Sequence, residues 1–149
     1  MDRRQFVALI GGAAVTGQLP ARAQQNERAR RVGVLMNLSV DDPEGNARST
    51  AFINGLQELG WSAGKNLRID YRWGAGDPEL FRKYAAELVA LAPDAILATG
   101  TPVVEALQGA TRTVPVVFVT VIDPVGAGFA ESLARPGGNA TGFLLFEYS

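Results

Sequence analysis

The 149-residue chain has no cysteine and no histidine. Without cysteine there are no disulfides, no thiolate nucleophile and no acyl-anchored lipoprotein terminus, and without histidine most zinc and haem sites go too. A serine triad is likewise excluded, because no imidazole is present to take the serine proton. Charge of one sign is also missing. Fourteen Lys and Arg face fifteen Asp and Glu, for a net charge of −1. That balance sets up no long-range field for nucleic acid, and no basic cluster is interleaved with aromatics, so no nucleic-acid partner is expected. Long hydrophobic runs are absent as well. The longest apolar stretch near the start, Phe6 to Val15, is rich in Gly and Ala and too short for the roughly 20 residues that cross a bilayer.

What is present begins with that first segment. Asp2, Arg3 and Arg4 precede the apolar run, a Pro-containing break follows it, and Ala21-Arg22-Ala23 closes it in a small-x-small cleavage pattern. Residues 1–23 are expected to be an export signal, and Arg3-Arg4-x-Phe6 resembles a twin-arginine signal. Its removal takes Arg3, Arg4, Arg22 and Asp2 with it, so the net charge moves from −1 to −3. An exported, cysteine-free, mildly acidic domain fits the periplasm. With 47% hydrophobic residues, the remainder has material for one domain and one core.

Two hydrophobic periods alternate through that remainder. Val32–Met36 is a short apolar run, and Phe52, Leu56 and Leu59 follow at helical spacing. Leu67–Trp73 alternates Leu67, Ile69 and Tyr71 against Arg68, Asp70 and Arg72, as an edge strand does. Phe81, Ala85, Leu88 and Ala92 form the stripe of a second helix, with Glu79 and Lys83 spaced for i,i+4 support. Ala95–Ala98 and Val114–Val121 are continuously apolar, as doubly buried strands are. Helices are expected over 103–110 and 125–133, a break at Arg135-Pro136-Gly137-Gly138, and a fifth strand over 141–146. Strands and helices in this alternation define an α/β fold of three layers, a parallel sheet with helices on both faces.

Four helix starts read as a capping residue followed by proline: Asp42-Pro43, Asp77-Pro78, Thr101-Pro102 and Asp123-Pro124. Asp or Thr at the cap accepts from free amides, and proline in the first turn has no amide to leave unpaired. In a parallel sheet all four starts lie beyond the carboxyl ends of the strands, where open α/β sheets bind ligands. Three of the caps are anionic and would repel an acid, whereas neutral Thr101 would leave helix amides available. A ligand carboxylate is therefore expected at Thr99-Gly100-Thr101, and an ammonium nearer Asp123 or Asp41-Asp42.

Enzyme motifs fail on inspection, so no catalytic residue, cofactor or metal is expected. Gly126-x-Gly128 meets Glu131 where a dinucleotide fingerprint needs Gly or Ala, and the Gly60–Lys65 run is one residue short of a phosphate loop. Asp41, Asp42 and Glu44 lack the apposed lysine of a receiver-type magnesium site.

The segments "RRVGVLMNLSVDDPEGNARSTAFINGLQELGW", "ATGTPVVEAL" and "VPVVFVTVIDPVGAGFAESLARPGGNATGF" resemble the periplasmic substrate-binding proteins of ABC transporters, in the tryptophan- or tyrosine-binding-like group of the type I periplasmic fold. The resemblance implies two lobes closing on a small ligand, with this chain as the amino-terminal lobe: a linker over 24–30, the lobe over 31–142 and the start of a crossover over 143–149. It further implies that the loop holding Asn37 and Ser39, the Thr99-Gly100-Thr101 turn and the Thr120 to Asp123 turn face the cleft. The implied function is delivery of an amino acid, or a related aromatic molecule, to a membrane permease. An exported sensor of the same fold is the alternative. The apolar final strand would either complete the sheet edge or invite self-association.

Overall fold

The computed structural model describes residues 28–132 and 134–145. The expected export signal, Leu133, and Phe146 of the expected last strand lie outside these. In chain order the elements are β1 (Arg30–Met36), α1 (Pro43–Glu58), β2 (Leu67–Trp73), α2 (Pro78–Ala90), β3 (Ala95–Thr99), α3 (Thr101–Ala110), β4 (Val116–Val121) and β5 (Ala140–Leu144). All five strands are parallel, in the order β2-β1-β3-β4-β5.

Register divides the side chains between two faces. On one, Leu35, Ala98 and Phe118 lie side by side across β1, β3 and β4, as do Ile96, Val116 and Ala140 across β3, β4 and β5. Helices α2 and α3 close this face with Phe81, Ala85, Leu88, Val103, Val104 and Leu107, all buried in one core with the strand residues. Burying each large side chain contributes roughly 1.5–3 kcal/mol, so the core lies on this side. The other face carries Val34, Leu97, Val117 and Thr141 in the same register row, and α1 is the helix over it among the described residues. Val34 is buried there, but Leu97 and Val117 are only half-buried.

Two helix starts form as their sequence requires. Asp42 accepts from the amides of Glu44 (2.8 Å) and Gly45 (3.3 Å), and Asp77 accepts from that of Glu79 (2.8 Å). The other two do not. Gly100, at φ 85°, is the cap of α3, so Thr101 is its first helical residue and caps nothing. A side chain at position 100 would pay for that positive φ, and glycine does not.

Among the described residues no helix follows Asp123. Its Oδ1 accepts from the Gly126 amide at 2.8 Å, and residues 124–128 turn rather than coil. Gly126 and Gly128, the latter at φ 79°, sit where a helix interior would need side chains, and each glycine costs about 1 kcal/mol there. The expected helix over 125–133 is thus replaced by turns from Pro124 to Phe129, with Phe129 and Ala130 tucked into the core side.

Candidate functional site

Strand order reverses between β1 and β3, the two strands whose following loops lead to opposite faces of the sheet. A crevice at their carboxyl ends is the position an open α/β sheet offers a ligand. Asn37 leaves β1 there, and Thr99, Gly100 and Thr101 leave β3.

Thr99 is 2% exposed, and its hydroxyl is used internally. It accepts from the Asn37 backbone N–H at 2.9 Å and donates to Asn37 Oδ1 at 2.9 Å. The side-chain oxygen of Asn37 is thereby fixed as the acceptor, which leaves Nδ2 as the end free to donate. That nitrogen lies over Gly100, where an added Cβ would stand 3.3 Å from it. The glycine thus serves two needs, a positive φ and room for the Asn37 amide. Thr99 was expected to face a ligand; the structure makes it the post on which Asn37 is hung.

Helix α3 starts beside this amide with no side-chain cap. The amide of Val104 is taken by Gly100 O at 3.3 Å, and Pro102 has none. The N–H groups of Thr101 and Val103 remain without an intrahelical partner, as first-turn amides do. Two backbone donors, the positive end of the α3 dipole and Asn37 Nδ2 therefore stand together at the strand-order switch. Such a set accepts an anion. At α1 and α2 the equivalent position is already filled by Asp42 and Asp77.

The remaining expected residues are less closely joined. Thr120 has φ 57°, a left-handed conformation that strains a β-branched residue, and β4 shifts register between Phe118 and Val121 around it. Its Oγ1 is shielded and has no partner among the described residues. Ser39 lies in the β1–α1 loop, where its carbonyl accepts from the Asp42 amide at 3.1 Å. Asp123 is exposed and holds its own turn. Of the acidic residues Asp41, Asp42 and Glu44, Asp42 accepts from helix amides and Glu44 pairs with Arg48.

Sequence reasoning missed a cavity of about 270 Å³ between α1 and the sheet, lined by Val34, Met36, Phe52, Tyr71, Leu97 and Val119 and reached by Thr99 and Thr120. Tyr71 stacks on Trp73 with ring centroids 6.1 Å apart. Burial pushes its hydroxyl pKa up, opposed by the nearby Ser49 side chain, although no hydrogen bond of normal geometry closes between them. The signal was the alternation of Ile69, Tyr71 and Trp73, which puts these rings on the α1 face. A larger groove of about 480 Å³ runs between α2 and α3 past Phe81, Ala86 and Ala106, on the opposite side of the sheet from that cavity.

An open parallel α/β sheet with an uncapped helix start at its switch point offers a small anionic ligand a place to bind. Residues 31–144 match the family model for ABC transporter substrate binding proteins, and the chain belongs to that family. A tyrosine-binding protein of Clostridioides difficile (strain R20291) is 31% identical over 117 residues, covering 78% of this chain and 33% of its own length. Among solved structures, an ABC domain in complex with L-Trp from Streptococcus pneumonia superposes with a TM-score of 0.72 at 30% identity, over 78% of this chain and 38% of that one. A conserved domain protein from Vibrio cholerae O1 biovar eltor str. N16961 gives 0.71 at 36% identity, over 77% and 38%. A ligand-free, open substrate binding protein with adhesive properties from Clostridium difficile gives 0.70 at 30%, over 76% and 38%. The chain therefore spans about a third of the length of these relatives.

Proposed function

We propose that this chain is the amino-terminal lobe of an exported solute-binding component of an ABC import system, and that it holds an aromatic amino acid or a similar zwitterion by its carboxylate. The observation that carries this reading is the uncapped start of α3 beside Asn37 Nδ2, the one helix start among three where no carboxylate of the protein occupies the amides. A relative is named as tyrosine-binding and another was solved with L-Trp, which supports an amino acid over a sugar. The partners are then the ligand, a second lobe that closes the crevice and a membrane permease. The task is binding and release rather than turnover, performed on the periplasmic side and reached by the signal at residues 1–23.

A lobe by itself offers an open crevice, and enclosure supplies much of the affinity of small-ligand sites. The 149-residue chain should accordingly bind with a dissociation constant of roughly 1 mM, about −4 kcal/mol. Titration of the isotope-labelled chain with L-tyrosine, L-tryptophan and glucose, followed by amide NMR, tests the reading. Saturable shifts centred on Asn37, Thr101 and Val103 are expected with the amino acids alone. Equal shifts with glucose, or amino-acid shifts confined to other surfaces, would overturn it.

A further inference from the structure

We propose that Thr120 is a spacer, one residue more than β4 needs, that turns the end of this strand away from the start of α3 and keeps the Thr101 and Val103 amides open to a ligand. Its role as a positioning residue rests on the carboxylate site proposed above. Up to Phe118 the β4–β5 ladder is regular, with Val116 opposite Ala140, Val117 opposite Thr141 and Phe118 opposite Gly142. The next pair is Val121 with Leu144, so β4 takes three steps where β5 takes two.

The extra residue lies between two rungs that face opposite ways. Val119 O accepts from the Gly100 N–H, at the end of β3, at 3.0 Å, and Val121 O accepts from the Leu145 N–H, at the end of β5, at 3.1 Å. Thr120 stands between them at φ 57°. Of the three non-glycine residues at positive φ among the described residues, it alone is β-branched and it alone lies inside a strand. That conformation is strained, and a one-residue bulge of this kind bends and re-aims the strand that carries it.

The fold does not require the extra residue. Val116, Phe118 and Val121 belong to the core closed by α2 and α3, whereas Val119 lines the α1 side. With Thr120 removed, Val121 would follow Val119 directly. Alternation would still send it to the core, and its pairing with Leu144 would follow that of Val119 with Phe143 without a break. What would change is the next residue. Ile122 would become the residue facing β3, level with Thr101, and would run alongside the first turn of α3. In the structure the β3–β4 pairing ends instead at Thr99 and Val119, and Ile122 is 52% exposed. A strained residue that the ladder can do without, at the rim of the crevice, serves the site rather than the fold.

Deletion of Thr120, with Thr120→Gly and Thr120→Val as companions, tests this by NMR, thermal unfolding and titration with L-tryptophan. The deletion variant should fold, melt no lower than wild type, and show nuclear Overhauser contacts between Ile122 and Thr101 that wild type lacks. Its affinity for L-tryptophan should fall by about tenfold or more. Thr120→Gly accepts the left-handed φ and Thr120→Val loses only the hydroxyl, so both should bind as wild type does. A deletion variant that unfolds, that gains no contact between Ile122 and Thr101, or that binds as wild type would overturn the proposal. So would loss of binding in Thr120→Val, which would assign the role to the hydroxyl. Should wild type take up no L-tryptophan, the carboxylate reading fails by itself, and the contacts between Ile122 and Thr101 still decide whether Thr120 is the spacer.

Discussion

The two edges of the sheet solve one physical problem in opposite ways. β2 is held by side chains that reach sideways and back: Arg31 Nε bonds Asp70 Oδ2, and Arg72 Nε bonds Glu87 of α2. β5 is held by close backbone approach, since Gly142 lies so near β4 that an added Cβ would stand 1.9 Å from the Phe118 carbonyl oxygen. Charge stabilises the first edge and also closes it to other strands. Tight packing seats the second edge without any charge along it. An edge can therefore be seated by ion pairs or by backbone proximity, and the two should fail under different substitutions.

That contrast can be broken at several points. The largest effect is expected for Gly142→Val, which drives a side chain into the Phe118 backbone and should cost about 3 kcal/mol in urea unfolding, with β5 released first in amide exchange. Between the edges, Thr99→Val keeps the volume but removes the hydroxyl that Asn37 uses twice. A loss of about 2 kcal/mol is expected, together with a measurable weakening of amino-acid binding in the NMR titration. Binding unchanged with Asn37 unanchored would remove Asn37 from the site.

At the charged edge, Asp70→Asn should lower the melting temperature by about 5 °C at neutral pH. The hydrogen bond from Arg31 holds the Asp70 carboxyl below the usual carboxylate range, with Arg31, Arg68 and Arg72 charges adding to it and burial opposing. A carboxyl depressed in the folded state stabilises above its unfolded pKa of about 4 and loses that contribution as pH falls through the lower folded value. The gap between wild type and Asp70→Asn should thus close in acid. Asp94, depressed chiefly by the Arg31 backbone N–H, works in the same direction. The smallest effect is expected for Arg68→Ala, whose exposed guanidinium lies 3.7 Å from Asp70: less than about 0.5 kcal/mol in thermal unfolding. A loss above about 1 kcal/mol would make the exposed Arg68–Asp70 pair a structural part of the edge.

The charged edge was also the more legible one. Alternation of Leu67, Ile69 and Tyr71 with Arg68, Asp70 and Arg72 fixed both the bounds of β2 and its place at the end of the sheet. The Asp-Pro pairs located α1 and α2 because cap and proline act locally. The same signal misled at Asp123-Pro124, where two glycines downstream decided against a helix, and at Thr101, where Gly100 with its positive φ took the cap. Val114 was expected in β4, but the strand begins at Val116, after Pro115, whose carbonyl accepts from Ile96. Thr99 was read as a ligand contact because sequence cannot reveal that its hydroxyl is consumed by a residue 62 positions away. The turn Thr99-Gly100-Thr101 stands out in the sequence by its neutrality among three anionic caps, and the structure puts a helix start without a side-chain cap there. Phe52 and Tyr71 were not singled out, because their convergence depends on how α1 lies across the sheet.

The most direct measurement compares L-tryptophan with L-tryptophanamide in amide NMR titrations of the same chain. The two differ in the group assigned to the start of α3, the carboxylate. With the free acid, the Asn37, Thr101 and Val103 amides should shift and saturate. With the neutral amide, those shifts should fall several-fold or vanish, since a helix start and a carboxamide donor favour an anion over a neutral group. Equal affinity and equal shifts for both ligands would contradict a carboxylate held by α3 and Asn37.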